Sequence, residues 1–223
     1  MQIKNHAVVG MFAGDEGKGK ITDLLSSEVE VVVRAEGGAN AGHTIQAGGK
    51  NFIGHLLPSG AAAGKLCALG RGVRIDLRQL LSEIDEFGAE FGFRPKVVID
   101  SGACLNFAWH KALEYYLERM KGSRRAYTTM RGMCASGGTI CFRLNPRVTM
   151  LYHRDELVNL LGDFYDSFAD IFQHEMFQSE EFKDIAGGPL PGLDKMTEML
   201  IADGEIIKDF VTDVRAELYE MIA

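Results

Sequence analysis

Residues Gly14-Asp15-Glu16-Gly17-Lys18-Gly19-Lys20 set two carboxylates and two ammonium groups into a glycine-spaced run. Where such a run turns from strand into helix, backbone N–H groups and the helix N-terminus point at an anion, and phosphate is the usual guest. Lys18 would neutralise that phosphate. A carboxylate in the same loop repels phosphate unless a metal ion stands between them or it has a proton to take. Asp15 is therefore read as a group with a chemical task. A second loop, Gly37-Gly38-Ala39-Asn40-Ala41-Gly42-His43-Thr44, supplies an amide at Asn40, an imidazole at His43, a hydroxyl at Thr44 and a backbone that can approach closely. A third segment, Thr128-Thr129-Met130-Arg131-Gly132, offers two hydroxyls before an Arg-Gly turn, and Arg143 and Arg147 follow it. Arginine grips phosphate with a two-pronged fork.

The first loop resembles a P-loop without being one. A Walker motif ending at Gly17-Lys18 needs glycine at position 12 and Ser or Thr at 19. This chain has Phe12 and Gly19, so the hydroxyl that normally holds Mg2+ is missing.

The elements that must position these groups follow from pattern. His6–Phe12 is an apolar run suited to a buried strand, Ile21–Leu25 to a helix, and Val29–Arg34 is β-branched. Strand, helix and strand this close together predict a βαβ unit. The fold class is α/β, a mostly parallel sheet flanked by helices around a P-loop-like nucleotide-binding core, and residues 1–223 read as one domain. The second loop then lies at the carboxyl edge where open α/β sheets bind ligands. Residues 51–60 read as a strand ending in a Pro-Ser-Gly turn, with His55 structural. Residues 66–75 read as strand, glycine turn and short strand. Asp76 and Gln79 fit a capping box for a helix whose Leu77, Leu80, Leu81, Ile84 and Phe87 face the core, stopped by Gly88. Lys96–Asp100 is a strand and Phe107–Met120 a helix, with His110 and Lys111 solvated. Residues 133–139 read as a small-residue loop, 155–177 as one long helix and 179–193 as a loop. Helices over Asp194–Leu200 and Glu205–Ile222 close the pattern.

The formal net charge of −7 over 223 residues argues against bulk nucleic-acid binding, which needs a basic face, while leaving room for a nucleotide held by a local Lys/Arg cluster. Cys67, Cys104, Cys134 and Cys141 form no CxxC pair and no zinc spacing. They read as reduced thiols of a cytoplasmic protein. The N-terminus lacks a signal-peptide pattern, and no run approaches the roughly 20 apolar residues of a membrane span.

GDEGKGK at 14–20 together with NAGHT at 40–44 resembles the adenylosuccinate synthetase family, and so do the HLLPSG stretch at 55–60, the segment Trp109-His110-Lys111-Ala112-Leu113 and the Thr-Thr-x-Arg-Gly segment. The resemblance implies a ligase that joins IMP to L-aspartate using GTP and Mg2+. It implies Asp15 as the base and a metal ligand, the Gly42 carbonyl as a second metal ligand, and His43 and Lys18 as partners of the transferring phosphoryl group. Gly14, Glu16, Gly17, Gly19, Lys20, Gly42 and Thr44 would line the nucleotide phosphates, and Asn40 and Thr129 would hold IMP. Arg143 would reach the IMP phosphate of a neighbouring subunit, which implies a homodimer.

The sequence also departs from that family. Met133-Cys134-Ala135-Ser136-Gly137-Gly138-Thr139 stands where relatives carry Gly-Pro-Ala-Tyr. The Glu-Gly-Ala-Gln segment, the mobile loop with its aspartate-binding arginine and the guanine-recognising Lys-x-Asp element have no counterpart here. An N-terminal portion, a split enzyme or a shortened relative is expected. Two other readings stay open: a synthetase for another purine nucleotide, against which Asp15 argues, and a non-catalytic nucleotide-binding module of the same fold.

Overall fold

The computed structural model describes residues 5–12 and 16–222. In chain order the elements are α1 (Lys18–Ser26), β1 (Val31–Gly38), β2 (His43–Ala47), β3 (Lys50–Gly54), β4 (Leu66–Ile75), α2 (Leu77–Phe91), β5 (Lys96–Asp100), β6 (Cys104–Leu105) and α3 (Ala108–Met120). There follow α4 (Met133–Cys141), α5 (Arg154–Ser167), α6 (Ala169–Phe172), α7 (Glu180–Ala186), α8 (Leu193–Ile207), β7 (Val211–Thr212) and α9 (Val214–Ile222). They divide into two compact units, one of Met1–Val73, Arg78–Ala103 and Phe210–Ala223, the other of Arg74–Leu77 and Cys104–Asp209.

The first unit is built on a sheet in the order β1-β4-β5-β7. β4 pairs β5 in parallel from Leu66↔Lys96 to Leu69↔Ile99, and β5 pairs β7 in parallel at Ile99↔Val211. Parallel neighbours need a crossover, and α2 supplies it between β4 and β5. Its Leu80, Ile84 and Phe87 are buried together with Cys67, Leu69 and Ile99 of the sheet. Phe87 meets Phe52 edge-on at 5.5 Å between ring centroids and stacks on Phe91 at 4.5 Å. β2 and β3 form a separate antiparallel hairpin that pairs His43 with Gly54.

A buried carboxylate and a half-buried guanidinium tie the loops of this unit down. The carboxylate of Glu83, on α2, accepts the amides of Leu56 and Leu57 at 2.9 Å each and the side-chain amide of Gln79 at 3.0 Å. The Arg34 guanidinium, on β1, donates to the carbonyls of Gly38 at 2.6 Å and His55.

The second unit gathers its helices around aromatic rings. Trp109 is fully buried and packs on Phe164 and Phe172, and its indole N–H donates to the Pro191 carbonyl at 2.8 Å. Beside it lies a buried polar cluster. The Phe107 amide donates to His110 Nδ1 at 3.2 Å, so the ring proton sits on Nε2, 3.0 Å from Thr139 Oγ1. Burial and the Arg74 guanidinium hold this imidazole neutral down to about 3.

The structure departs from the sequence reading at definite places. His6–Phe12 is not a strand: its described backbone has no ladder partner, and an apolar run without a neighbour to pair with stays irregular. β4 runs unbroken through Gly70 and Gly72, where the neighbouring β1 lies so close that a Cβ would stand 3.2 Å from the Arg34 carbonyl at the first and 2.6 Å from the Ala35 carbonyl at the second. α2 continues past Gly88, whose φ is not positive, and stops before Gly92 at φ +80°. Residues 133–139 are helical within α4, not a loop. The aromatic stripe of 155–177 is broken at Phe168, where φ −127° and ψ 17° leave the helical region, and α7 occupies part of the loop read over 179–193. The last helix pair is interrupted by β7, which needs extended backbone to pair with β5. His110 is buried as a helix cap, not solvated.

Replacing Glu83 with Leu should strand two buried amides and lower unfolding stability by about 3 kcal/mol in urea titrations. His110 predicts a pH effect with a definite sign. Unfolded histidine takes a proton below about pH 6.5, whereas the folded ring stays neutral to about 3. The unfolded state gains its proton first, so stability falls as pH drops from about 6.5 toward 3. The fall in urea midpoint between pH 7 and 5 should shrink in His110→Gln; an equal fall in both proteins would remove His110 as its source.

Candidate functional site

Glycine-rich backbone brings the two loops of the first unit together. α1 starts after Gly17, whose φ of +77° caps the helix. One residue into the helix, Gly19 lies so close to the hairpin that a Cβ built there would stand 2.9 Å from His43 Cβ and 3.7 Å from Ser59 Oγ. This contact explains why position 19 lacks the Walker hydroxyl: serine or threonine would collide with His43. The N-terminal turn of α1, the His43 imidazole and the buried Ser59 hydroxyl therefore share one spot. The Lys20 amide already donates to the Gly17 carbonyl at 3.0 Å; the amides of Lys18 and Gly19, ahead of it in the first turn, are the ones an anion would meet.

His43 is half-buried, and its Nε2 and His55 Nδ1 are buried ring nitrogens without a hydrogen-bond partner among the described residues. His55 lies beside Gly42, its Cε1 and Nδ1 standing 3.2 and 3.4 Å from where a Gly42 Cβ would be. Burial pushes the His43 pKa down, and the Arg34 guanidinium pushes it further down against the opposing pull of the Leu57 carbonyl. A neutral imidazole still has one N–H to donate.

Lys18 is not facing an anion here. Its ammonium is paired with the Glu16 carboxylate, which also accepts the Phe12 amide at 2.6 Å. Lys20, Asn40, Gly42 and Thr44 are exposed, available to a ligand from solvent. Gly14 and Asp15 lie outside the described residues. Among the described residues no three His, Cys, Asp or Glu side chains converge as a metal cage. Mg2+ requires none, since it is usually held through one or two carboxylates plus substrate phosphates, and the exposed Gly42 backbone beside the phosphate-binding turn fits that mode.

Thr129 and Arg143 belong to the second unit, at opposite ends of α4. Gly132 caps this helix at φ +78°, and a Cβ there would come within 2.8 Å of Asn106 Oδ1 and 3.0 Å of His110 Cβ. Buried Asn106 donates to the Arg131 carbonyl at 2.7 Å, and Glu118 accepts the amides of Ala126 and Tyr127 at 2.9 and 3.0 Å, so both flanks of the threonine pair are pinned. The Lys121 ammonium beside Glu118 lowers its pKa. Tyr127, Met130 and Arg143 adopt φ of +52°, +56° and +61°. Such conformations cost about 1–3 kcal/mol each for side chains other than glycine and cluster at ligand sites.

Sequence reasoning missed Ser59, Arg34 and the placement of His55. Ser59 was absorbed into a turn signal, and Arg34 looked like the polar end of a strand; no local pattern tells that its guanidinium folds back onto three carbonyls.

Gly19→Ser should weaken binding of a nucleoside triphosphate at least tenfold, and His43→Ala in the same chain should remove the clash. Calorimetry on the two single variants and the double variant checks this: strictly additive losses would mean that the two residues do not touch.

The profile of the adenylosuccinate synthetase family matches residues 7–223. The chain is 37% identical to the adenylosuccinate synthetase of Caldicellulosiruptor bescii, over 93% of its own length and 46% of that protein's. It is 36% identical to that of Myxococcus xanthus, over 97% and 49% of the respective lengths. Its fold superposes on the structure of Plasmodium falciparum adenylosuccinate synthetase with a TM-score of 0.73 and 26% identity, covering 94% of this chain and 46% of that one. The chain thus spans about half the length of the relatives it matches, and it belongs to the adenylosuccinate synthetase family.

Proposed function

We propose that the chain carries the phosphoryl-transfer site of an adenylosuccinate synthetase, which joins IMP and L-aspartate at the expense of GTP. The observation that carries this reading is the seating of Gly19 of the first loop against His43 of the second. That contact supports the reading because it gathers helix amides, an imidazole and a hydroxyl, the kinds of group that would stabilise a transferring phosphoryl group.

The purine oxygen of IMP is a poor leaving group until it is phosphorylated. Asp15 would take the proton from the purine ring as the oxygen attacks the γ-phosphorus of GTP, and GDP leaves. The aspartate amine then displaces phosphate at the same carbon. His43, neutral because burial and Arg34 disfavour its charge, would donate its N–H to the phosphoryl oxygen. The backbone of Gly17, Gly19 and Lys20 would hold the phosphates, and Lys18 would leave Glu16 to neutralise them. Asp15 and the Gly42 carbonyl would hold Mg2+, which supplies charge neutralisation across the phosphates. Asn40 and Thr129 would bind IMP.

The positions of Thr129 and Arg143 favour a homodimer. Thr129 and Arg143 lie beyond opposite ends of the nine-residue α4, a helix about 13.5 Å long. Arg143, exposed beyond the C-terminal end, would serve its neighbour.

Adenylosuccinate formation by the purified chain with GTP, IMP, aspartate and Mg2+ is the direct test. Asp15→Asn should lower turnover by about a thousandfold or more while nucleotide binding survives. Unchanged turnover would take Asp15 out of the mechanism. Gel filtration should give twice the chain mass, and Arg143→Leu should raise the KM for IMP without altering that of GTP.

A further inference from the structure

We propose, resting on the reading of Thr129 as an IMP contact, that Tyr127 is a further binding residue of that subsite, its ring stacking on the purine base.

Tyr127 has a φ of +52°. For a bulky aromatic residue this backbone is an outlier, and strain of that kind persists only where the surroundings enforce it. Glu118, on α3 and 1% exposed, does so. One of its carboxylate oxygens accepts the amides of Ala126 and Tyr127 at 2.9 and 3.0 Å, and the other accepts the Lys121 ammonium. Met130 repeats the left-handed backbone at φ +56° on the far side of the threonine pair. A tyrosine ordinarily gains by burying its ring, yet Tyr127 is 84% exposed. The fold therefore commits a buried carboxylate to a strained residue whose ring is left to solvent. The gain that the protein forgoes is open to a ligand.

Charge indicates the class of that ligand. Residues 119–154 contain no Asp or Glu and eight Arg or Lys, in a chain of formal net charge −7. Arg124 is exposed, and the Nε of half-buried Arg125 is shielded from water without a hydrogen-bond partner among the described residues. Glu118 is already engaged by two amides and Lys121, so it leaves these guanidinium groups for an anion. Guanidinium groups and the exposed Thr129 hydroxyl suit phosphate. A free aromatic ring beside them suits a base, which offers a π-face for stacking. Phosphate and base on one small molecule make a nucleotide. A longer polyanion would run from this basic segment onto an acidic remainder.

The test is saturation-transfer NMR titration of the purified chain with IMP and, separately, with ribose 5-phosphate, which keeps the sugar and phosphate and lacks the base. Tyr127→Ala should weaken IMP at least tenfold and leave ribose 5-phosphate within twofold. Tyr127→Phe should bind IMP as the unaltered chain does, and both variants should keep the urea midpoint, since the ring they change is exposed. An equal loss for the two ligands would place the effect in the phosphate or in the shape of the loop and overturn the proposal. So would undiminished IMP binding by Tyr127→Ala, or a loss in Tyr127→Phe as large as in Tyr127→Ala. If the unaltered chain binds both ligands equally well, stacking on the base is overturned while Thr129 keeps its role. If it binds neither, the IMP reading of Thr129 falls and this inference with it.

Discussion

Arg34 and Glu83 set the conditions under which the first unit can hold a site at all. The loops that carry His43, His55 and Ser59 are glycine-rich or turn backward, so they cannot satisfy their own backbone groups. Buried N–H and C=O groups must be paired. Glu83 takes the amides at the start of the Leu-Leu-Pro turn, and Arg34 gives its donors to carbonyls on both sides of the second loop. Burial lowers the Arg34 pKa while Glu83 raises it. Each charge makes burial of the other tolerable, since an unpaired buried ion is severely destabilising. Burial, and after it the same guanidinium, lowers the His43 pKa. Loop geometry and imidazole protonation thus both draw on Arg34.

What could be read from the sequence follows from the range of the forces involved. The amphipathic face of α2, the buried strand at Lys96–Asp100 and the α3 helix were legible because their periodicity is a local consequence of burial. The glycine turn that opens α1 was legible because glycine spacing and charge lie next to each other in sequence. The hairpin β2/β3 was not, for its turn at Gly48-Gly49 lies in a stretch without alternating apolar residues. That residues 7–12 have no ladder partner among the described residues could not be seen either, because pairing is a property of two segments and the run itself reads as a strand. The helicity of residues 133–139 was hidden by Ser136 and the two glycines Gly137 and Gly138; buried Asn106 and His110, which pack on its cap, supply the order that propensity withholds.

The candidate site was legible in residue types more than in relations. Lys18, His43 and Gly42 were proposed from two motifs, yet the reason for Gly19 appears only when the His43 side chain is seen against it. Glu16, read as a phosphate neighbour, proves to be the partner of Lys18. Both relations link residues through space and leave no trace in spacing.

The left-handed backbone at Tyr127 and Met130 brackets the threonine pair, and it is held in place by Glu118 and Asn106. Glycine at either position would relax the chain and make the unit harder to unfold, at the expense of the shape presented by Thr128 and Thr129. Selection for stability alone would therefore erode this segment. With bulky residues in left-handed backbone, thermodynamic robustness is exchanged for a preset geometry.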